Sequence, residues 1–328
     1  AFSNLKQGED VLKIKDAFDF YYNGKFNFDL FSDLVFSDHV KEVILNKKLF
    51  FSASDDLKVI HNFLSKFIFD SLGVRDDIVF SYRKGVNVFN CIEPHKFSNF
   101  IYKTDIESFF PTITKPAIEE AIKKSVCNIS YIDHEDIINN LDRILELTTV
   151  SERLPVGFSS SPSISNFIMY DFDCDIYKYT TDHGLVYTRY SDDILISSDK
   201  EIDKNEMTRI ISDILSKKKG LNFKINNKKT KIITKKYERI IFGISISPVG
   251  TLSVSSKLKK EIEVKIYYLL NNREKLSMFS NMDEKNAILS LSGSLSYVLG
   301  IDPGYVTKLR GKYGNAIITK LLSNKEDL

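Results

Sequence analysis

Residues 187–198 set two carboxylates, Asp192 and Asp193, side by side between two apolar runs. Tyr187, Arg189 and Tyr190 on one side and Ile194, Leu195 and Ile196 on the other have the composition of strands, and Ser191-Asp192 supplies turn chemistry. The expectation is a hairpin with two like charges at its tip. Such carboxylates repel and raise each other's pKa unless a cation sits between or beside them, which points to a divalent metal. An ordinary solvated Asp-Asp turn fits the same pattern. A third carboxylate, Asp105, closes a strand-like run from Ile101 to Ile106, after which Phe109, Phe110 and Pro111 turn the chain toward a helix. A carboxylate at a strand end, followed by exposed amides, suits a metal-bound phosphate, and an N-capping Asp has the same signature.

Three further stretches carry candidate chemistry. Arg83-Lys84-Gly85 interrupts the apolar alternation of residues 79–89, which reads as two short strands joined by a basic turn able to hold phosphates. Gly157, then Ser160, Ser161 and Pro162, make a small-residue helix start that lets a flat ring or a sugar approach the backbone, or simply a loop and cap. Between Leu215 and Lys236 lie nine lysines (Lys217, Lys218, Lys219, Lys224, Lys228, Lys229, Lys231, Lys235, Lys236) and no acid before Glu238, a surface fit for a polyanion or a solvated lysine face.

The elements that must position these residues follow from periodicity. Ser54 starts a helix whose Leu57, Ile60, Phe63, Leu64, Phe67 and Ile68 recur at three-and-four spacing up to Gly73. Pro116 opens a helix over 117–124, another is expected over 133–150, and a third carries Ile164, Phe167, Ile168, Phe172 and Ile176. A helix over 203–218 precedes a strand pair, 221–225 and 228–233, around Asn226-Asn227. A further hairpin, 240–246 with 251–254, leads into a tail of three helices.

At 328 residues and 37.7 kDa the chain suits two or three packed subdomains. Its 46 Lys+Arg against 44 Asp+Glu leave a net charge of +2, so overall charge names no partner. Cys91, Cys127 and Cys174 are too few and too scattered for a disulfide framework or a zinc knuckle. No apolar run approaches the roughly 20 residues of a membrane span and no leader pattern is visible, so the expected compartment is a bacterial or other reducing cytoplasm.

Taken together, Asp105-Ile-Glu-Ser-Phe-Phe-Pro, Leu154-Pro-Val-Gly-Phe-Ser-Ser-Ser-Pro with Ser165-Asn166, Tyr190-Ser-Asp-Asp, and the stretch from Leu221 to Thr230 resemble motifs A, B, C and D of reverse transcriptases, in order. Asn90 to His95 and the ending around Leu295 to Leu309 are similar to bacterial retron-type and related phage-defence enzymes. Val156 stands where that family most often has Gln, and Ile241-Phe-Gly243 where retrons carry Val-Thr-Gly.

The resemblance implies an α+β right-hand polymerase: fingers over 1–99 and 116–150, palm over 100–115 and 151–248, an antiparallel sheet backed by helices, and a helical thumb over 249–328. It implies a nucleotidyltransferase that synthesises DNA from dNTPs. Two Mg²⁺ ions, replaceable by Mn²⁺ and about 3.5–4 Å apart, would be held by Asp105, the Ile106 carbonyl, Asp192 and, at the margin, Asp193. Arg83, Lys84, Phe109, Phe110, Val156, Gly157 and Lys229 would form the nucleotide site, with Phe110 as a gate against a ribose hydroxyl. Tyr190, Ser191, Lys257, Lys260 and Arg310 would contact nucleic acid. The implied partners are an RNA template, such as a dedicated non-coding RNA, a DNA or RNA primer and an associated effector protein, with no membrane. A same-fold polymerase making non-templated or ribonucleotide products, and a binding-only relative, are the alternatives. The gate assignment predicts that Phe110→Ala admits ribonucleotides; primer extension with each nucleotide pool checks it, and unchanged selectivity removes the gate.

Overall fold

The computed structural model describes residues 11–45, 47–218 and 220–323. It divides into two compact units: the first comprises residues up to Asn87, Tyr102–Ser198 and Ile202–Ile232, the second Val88–Ile101, Asp199–Glu201 and the chain from Ile233 on. Nine strands are present among the described residues: β1 (Val40–Leu45), β2 (Lys48–Ala53), β3 (Phe100–Asp105), β4 (Val186–Tyr190), β5 (Asp193–Ser198), β6 (Lys231–Thr234), β7 (Arg239–Ile241), β8 (Ile244–Ile246) and β9 (Leu252–Val254). They form a β1–β2 hairpin, a four-stranded sheet in the order β4-β5-β3-β6, and a three-stranded sheet β7-β8-β9.

The four-stranded sheet is what positions the acids. Ile194, Leu195 and Ile196 of β5 are all fully buried, as a central strand covered on both faces requires. The β4–β5 register is antiparallel and pairs Tyr190 with Asp193, so Ser191 and Asp192 form a two-residue turn, as expected from sequence. Ser191 adopts the left-handed conformation (φ 59°) that such tight hairpins need. The Tyr170–Asp182 helix backs the sheet at β4. Elsewhere in this unit, the Asp55–Phe67 helix begins where Ser54 Oγ accepts the Leu57 N–H, and it buries Leu57, Ile60, Phe63, Leu64 and Phe67. The Lys115–Ser125 and Lys204–Ser216 helices also lie close to their expected spans.

Several expectations are corrected. Residues 79–89 are not two strands: Tyr82 and Gly85 take positive φ (59° and 83°), and the Arg83 guanidinium donates to the Asp76 and Val79 carbonyls at 2.9 and 2.5 Å, coiling the segment into a loop. The segment 221–225 is not a strand either. The Asn226 carbonyl accepts the Lys229 and Thr230 amides at 3.0 and 3.1 Å, which makes a coiled turn, and β6 then joins the sheet beside β3. The 133–150 helix breaks at Asn140, whose side chain donates to the Asp136 carbonyl, and the motif B helix divides into Ser161–Ile168 and Tyr170–Asp182. The β1–β2 hairpin has no counterpart among the elements expected from sequence.

Among the described residues the tail of the second unit holds five helices, Ser256–Asn271, Arg273–Ser280, Glu284–Ile301, Pro303–Tyr313 and Asn315–Leu322, rather than three. Asn272, in extended conformation, ends the first and caps the second; Gly314 (φ 99°) separates the last two. The boundary expected at 249 falls between β8 and β9, inside one sheet, where a Cβ on Gly250 would come 2.5 Å from the Phe97 ring. Among the described residues no helix is long and apolar enough to cross a membrane.

The largest fully buried side chain of the first unit is Arg189 on β4. Its Nε and Nη2 donate to the two carboxylate oxygens of Asp173, on the Tyr170–Asp182 helix, at 2.8 and 2.6 Å, and Tyr187 Oη donates to Asp173 at 2.7 Å. Both ions are fully buried. Burial pulls the guanidinium's pKa down, and the Asp173 carboxylate more than offsets it, leaving it raised. Removing one partner strands a buried charge, so Asp173→Ala is expected to cost roughly 3–5 kcal/mol in denaturant unfolding. The double change Asp173→Leu, Arg189→Met is expected to cost less than the single one.

Candidate active site

Asp105 ends β3 and is 5% exposed. The next residue, Ile106, donates its amide to the Asp192 carbonyl at 3.1 Å, tying the end of β3 to the β4–β5 turn. The turn is anchored from below, because Arg189 Nη1 donates to the Ser191 carbonyl at 2.8 Å. On the other flank the Asn226 amide donates to the Asp105 carbonyl at 2.9 Å and Glu107 to Lys224 at 2.8 Å. Backbone hydrogen bonds thus converge three carboxylates, Asp105, Asp192 and Asp193, from two strand ends and one turn.

Cations answer that charge. Lys229 Nζ donates to Asp105 Oδ2 at 2.9 Å, and this bond, aided by all three carboxylates, raises the Lys229 pKa. Lys103, two residues before Asp105 on β3, pairs with Asp193. Burial is the main reason that the Asp193 pKa is raised; Lys103 opposes it, and Asp192 and Asp105 add to it. Asp105 Oδ1 is buried with no hydrogen-bond partner. Among the described residues no three acidic, His or Cys side chains are set at metal-binding spacing, and lysines pair with two of these carboxylates. An unpartnered buried carboxylate oxygen beside two further acids is nevertheless the donor chemistry that a hard divalent cation takes.

The expected nucleotide-site residues divide. Phe109 is buried, and its ring lies 5.4 Å from that of half-buried Phe110. Arg83 and Lys84 line a cavity of about 260 Å³ with Tyr82, Asp70, Ser163 and Asn166, and Arg83 Nη1 donates to two loop carbonyls. Val156 and Gly157 meet the β2 strand: the Val156 carbonyl accepts the Phe51 amide at 2.8 Å, and a Cβ on Gly157 (φ 112°) would stand 2.4 Å from the Phe51 carbonyl oxygen. The glycine is therefore required by a strand's approach, where sequence suggested a ring or a sugar. Tyr190 is half-buried opposite Asp193, and Ser191 Oγ is 2.7 Å from Tyr82 Oη.

The lysine run does not form one face. Lys218 pairs with Asp171 at 3.0 Å and Lys217 approaches Asp175 at 4.0 Å, whereas Lys229 turns to Asp105; Lys219 lies outside the described residues. In the second unit Lys257 and Lys260 are exposed on the Ser256–Asn271 helix, Lys260 beside Lys259, Tyr267, Tyr268 and Tyr313, and Arg310 is half-buried. Sequence reasoning missed Lys103, Tyr82, Asn226 and Asp173. Only Lys103 carried a signal, since strand alternation puts it on the same face as Asp105.

A profile of the family described as reverse transcriptase (RNA-dependent DNA polymerase) matches residues 50–269. The chain belongs to the reverse transcriptase family. It is 26% identical over 277 residues to the Retron Ec86 reverse transcriptase of Escherichia coli, covering 82% of this chain and 79% of that protein. The Retron Ec83 reverse transcriptase of the same organism is 26% identical over 256 residues, 76% and 78% of the two chains. Among solved structures, telomerase from Candida albicans in complex with a fragment of telomeric RNA aligns with a TM-score of 0.44 and 12% identity over 88% of this chain and 61% of that one. This reverse transcriptase is thus an RNA-directed DNA polymerase of retron type with the α+β right-hand fold, and its family depends on divalent metal.

Proposed function

We propose that this reverse transcriptase copies an RNA template into DNA from dNTPs, with two Mg²⁺ ions held by Asp105, Asp192 and the Ile106 carbonyl and with Asp193 in support. The observation that carries the reading is the unpartnered, buried Oδ1 of Asp105 beside the Ser191-Asp192 turn. When bound, such ions stabilise the attacking primer hydroxyl and the leaving pyrophosphate oxygens. Asp105 and Asp192 supply hard oxygen ligands on adjoining backbone, where the Ile106 amide ties one element to the other. Lys103 keeps the Asp193 carboxylate partly neutralised and at the margin. Lys229 holds a proton at Nζ at the edge of the same cluster and gives it to the departing pyrophosphate.

Phe110 bars the ribose 2′-hydroxyl, and Lys84 with Arg83 faces the triphosphate. The first unit supplies fingers and palm and the second the thumb, where Lys257, Lys260 and Arg310 grip template and primer phosphates. The retron setting makes a dedicated non-coding RNA the template, an effector protein the associate and a bacterial cytoplasm the compartment; the retron enzymes' similarity supports this.

The test is dNTP incorporation on an RNA template and primer by the purified chain. Wild type is expected to extend the primer only with divalent metal, and Asp192→Asn to lose extension while unfolding at the wild-type temperature. Extension by Asp192→Asn, or incorporation that ignores the template, contradicts the proposal.

A further inference from the structure

Tyr82 joins two parts of the site that the motifs treat as separate. Its backbone is left-handed (φ 59°), a conformation that a non-glycine residue keeps only where its surroundings impose it. Here they do. The Phe80 amide donates to the Arg189 carbonyl at 3.1 Å, the Arg189 amide to Ile78 at 2.9 Å, and Asn166 Nδ2 to the Ser81 carbonyl at 3.1 Å. The loop is strapped to β4 on one side and to the Ser161–Ile168 helix on the other, and Tyr82 is delivered between them.

Its side chain makes two contacts. The ring meets the Phe110 ring edge-on, with centroids 6.3 Å apart and planes at 62°. Phe110 is held from another side by Phe109, itself 5.8 Å from the Phe223 ring. The Tyr82 hydroxyl lies 2.7 Å from Ser191 Oγ, in the turn that carries Asp192. Tyr82 is also 44% exposed and lines the cavity shared with Arg83, Lys84 and Asn166, so its remaining face is open to a ligand.

We propose that Tyr82 is a specificity-determining and positioning residue: its ring backs Phe110 so that the gate cannot yield to a ribose, and its hydroxyl fixes the Ser191-Asp192 turn. A gate excludes a hydroxyl only if the blocking ring has nowhere to retreat. Phe109 and Tyr82 remove two directions of retreat, and removing Tyr82 restores one. The hydroxyl acts on the other part, by holding a turn whose carboxylate must keep its place during reaction. The two functions are separable by substitution, since Phe keeps the ring and Leu keeps neither ring nor hydroxyl.

This inference rests on Phe110 being the sugar gate, so Phe110→Ala is included as a reference. Primer extension by the full chain, with kcat and KM for dNTPs and for rNTPs, is measured for wild type, Tyr82→Phe, Tyr82→Leu and Phe110→Ala, with thermal unfolding of each. Tyr82→Leu is expected to lower discrimination against rNTPs roughly three- to tenfold, the worth of one aromatic edge contact. Tyr82→Phe is expected to keep discrimination and KM and to lower kcat for dNTPs by a similar factor, the worth of one neutral hydrogen bond. If Phe110→Ala relaxes selectivity and Tyr82→Leu does not, the inference is overturned while the gate stands. If Phe110→Ala itself leaves selectivity unchanged, the gate reading fails and takes the ring's function with it. Wild-type kcat in Tyr82→Phe overturns the function of the hydroxyl.

Discussion

The Arg189–Asp173 pair is the constraint on which the rest of the site depends. Two fully buried ions cost several kcal/mol each in lost hydration, and only complete hydrogen bonding offsets that. Here the fork of Arg189 matches both oxygens of Asp173, Tyr187 adds a donor, and the remaining guanidinium nitrogen reaches the Ser191 carbonyl. The last bond matters most for function. It ties the β4–β5 turn to a backing helix, so that Asp192 is carried on backbone set from within the core.

From that anchor the acidic centre is assembled by main-chain bonds. Ile106 holds the turn to β3, and Asn226 holds the other flank of Asp105. Converging three carboxylates on a half-buried site is electrostatically unfavourable: burial first, and then Asp192 and Asp105, push the Asp193 pKa up, against Lys103. Lys103 and Lys229 relieve it in different ways. Lys103 approaches Asp193 from within the sheet, where it is 19% exposed, whereas Lys229 reaches Asp105 from a side chain 68% exposed. In the proposed reaction the exposed lysine is the one that exchanges its partner for a phosphate.

Much of this was legible in the chain itself. The Asp192-Asp193 hairpin, the strand ending at Asp105 and the Ser54 and Pro116 helix starts follow from alternation, turn chemistry and capping, which act over a few residues. What was not legible depends on partners distant in sequence. Residues 79–89 have strand composition, yet Arg83 folds back on its own loop carbonyls and Tyr82 is forced into a left-handed backbone by β4 and Asn166. Gly157 was read as room for a ligand, but Phe51 fills that room from a hairpin about a hundred residues earlier. The lysines between Lys217 and Lys236 looked like one track because spacing along the chain does not show that Asp171 and Asp105 draw them to different places.

Asp105, Asp192 and Asp193 are proposed to form a divalent-metal centre around the unpartnered oxygen of Asp105. The most direct measurement is Mn²⁺ binding, followed by electron paramagnetic resonance, to the full chain with RNA template, primer and dNTP, compared with Asp105→Asn. Tight Mn²⁺ binding by the wild-type chain, lost in Asp105→Asn while the fold and RNA binding persist, is the expected result. Equal Mn²⁺ binding by the two proteins would contradict it.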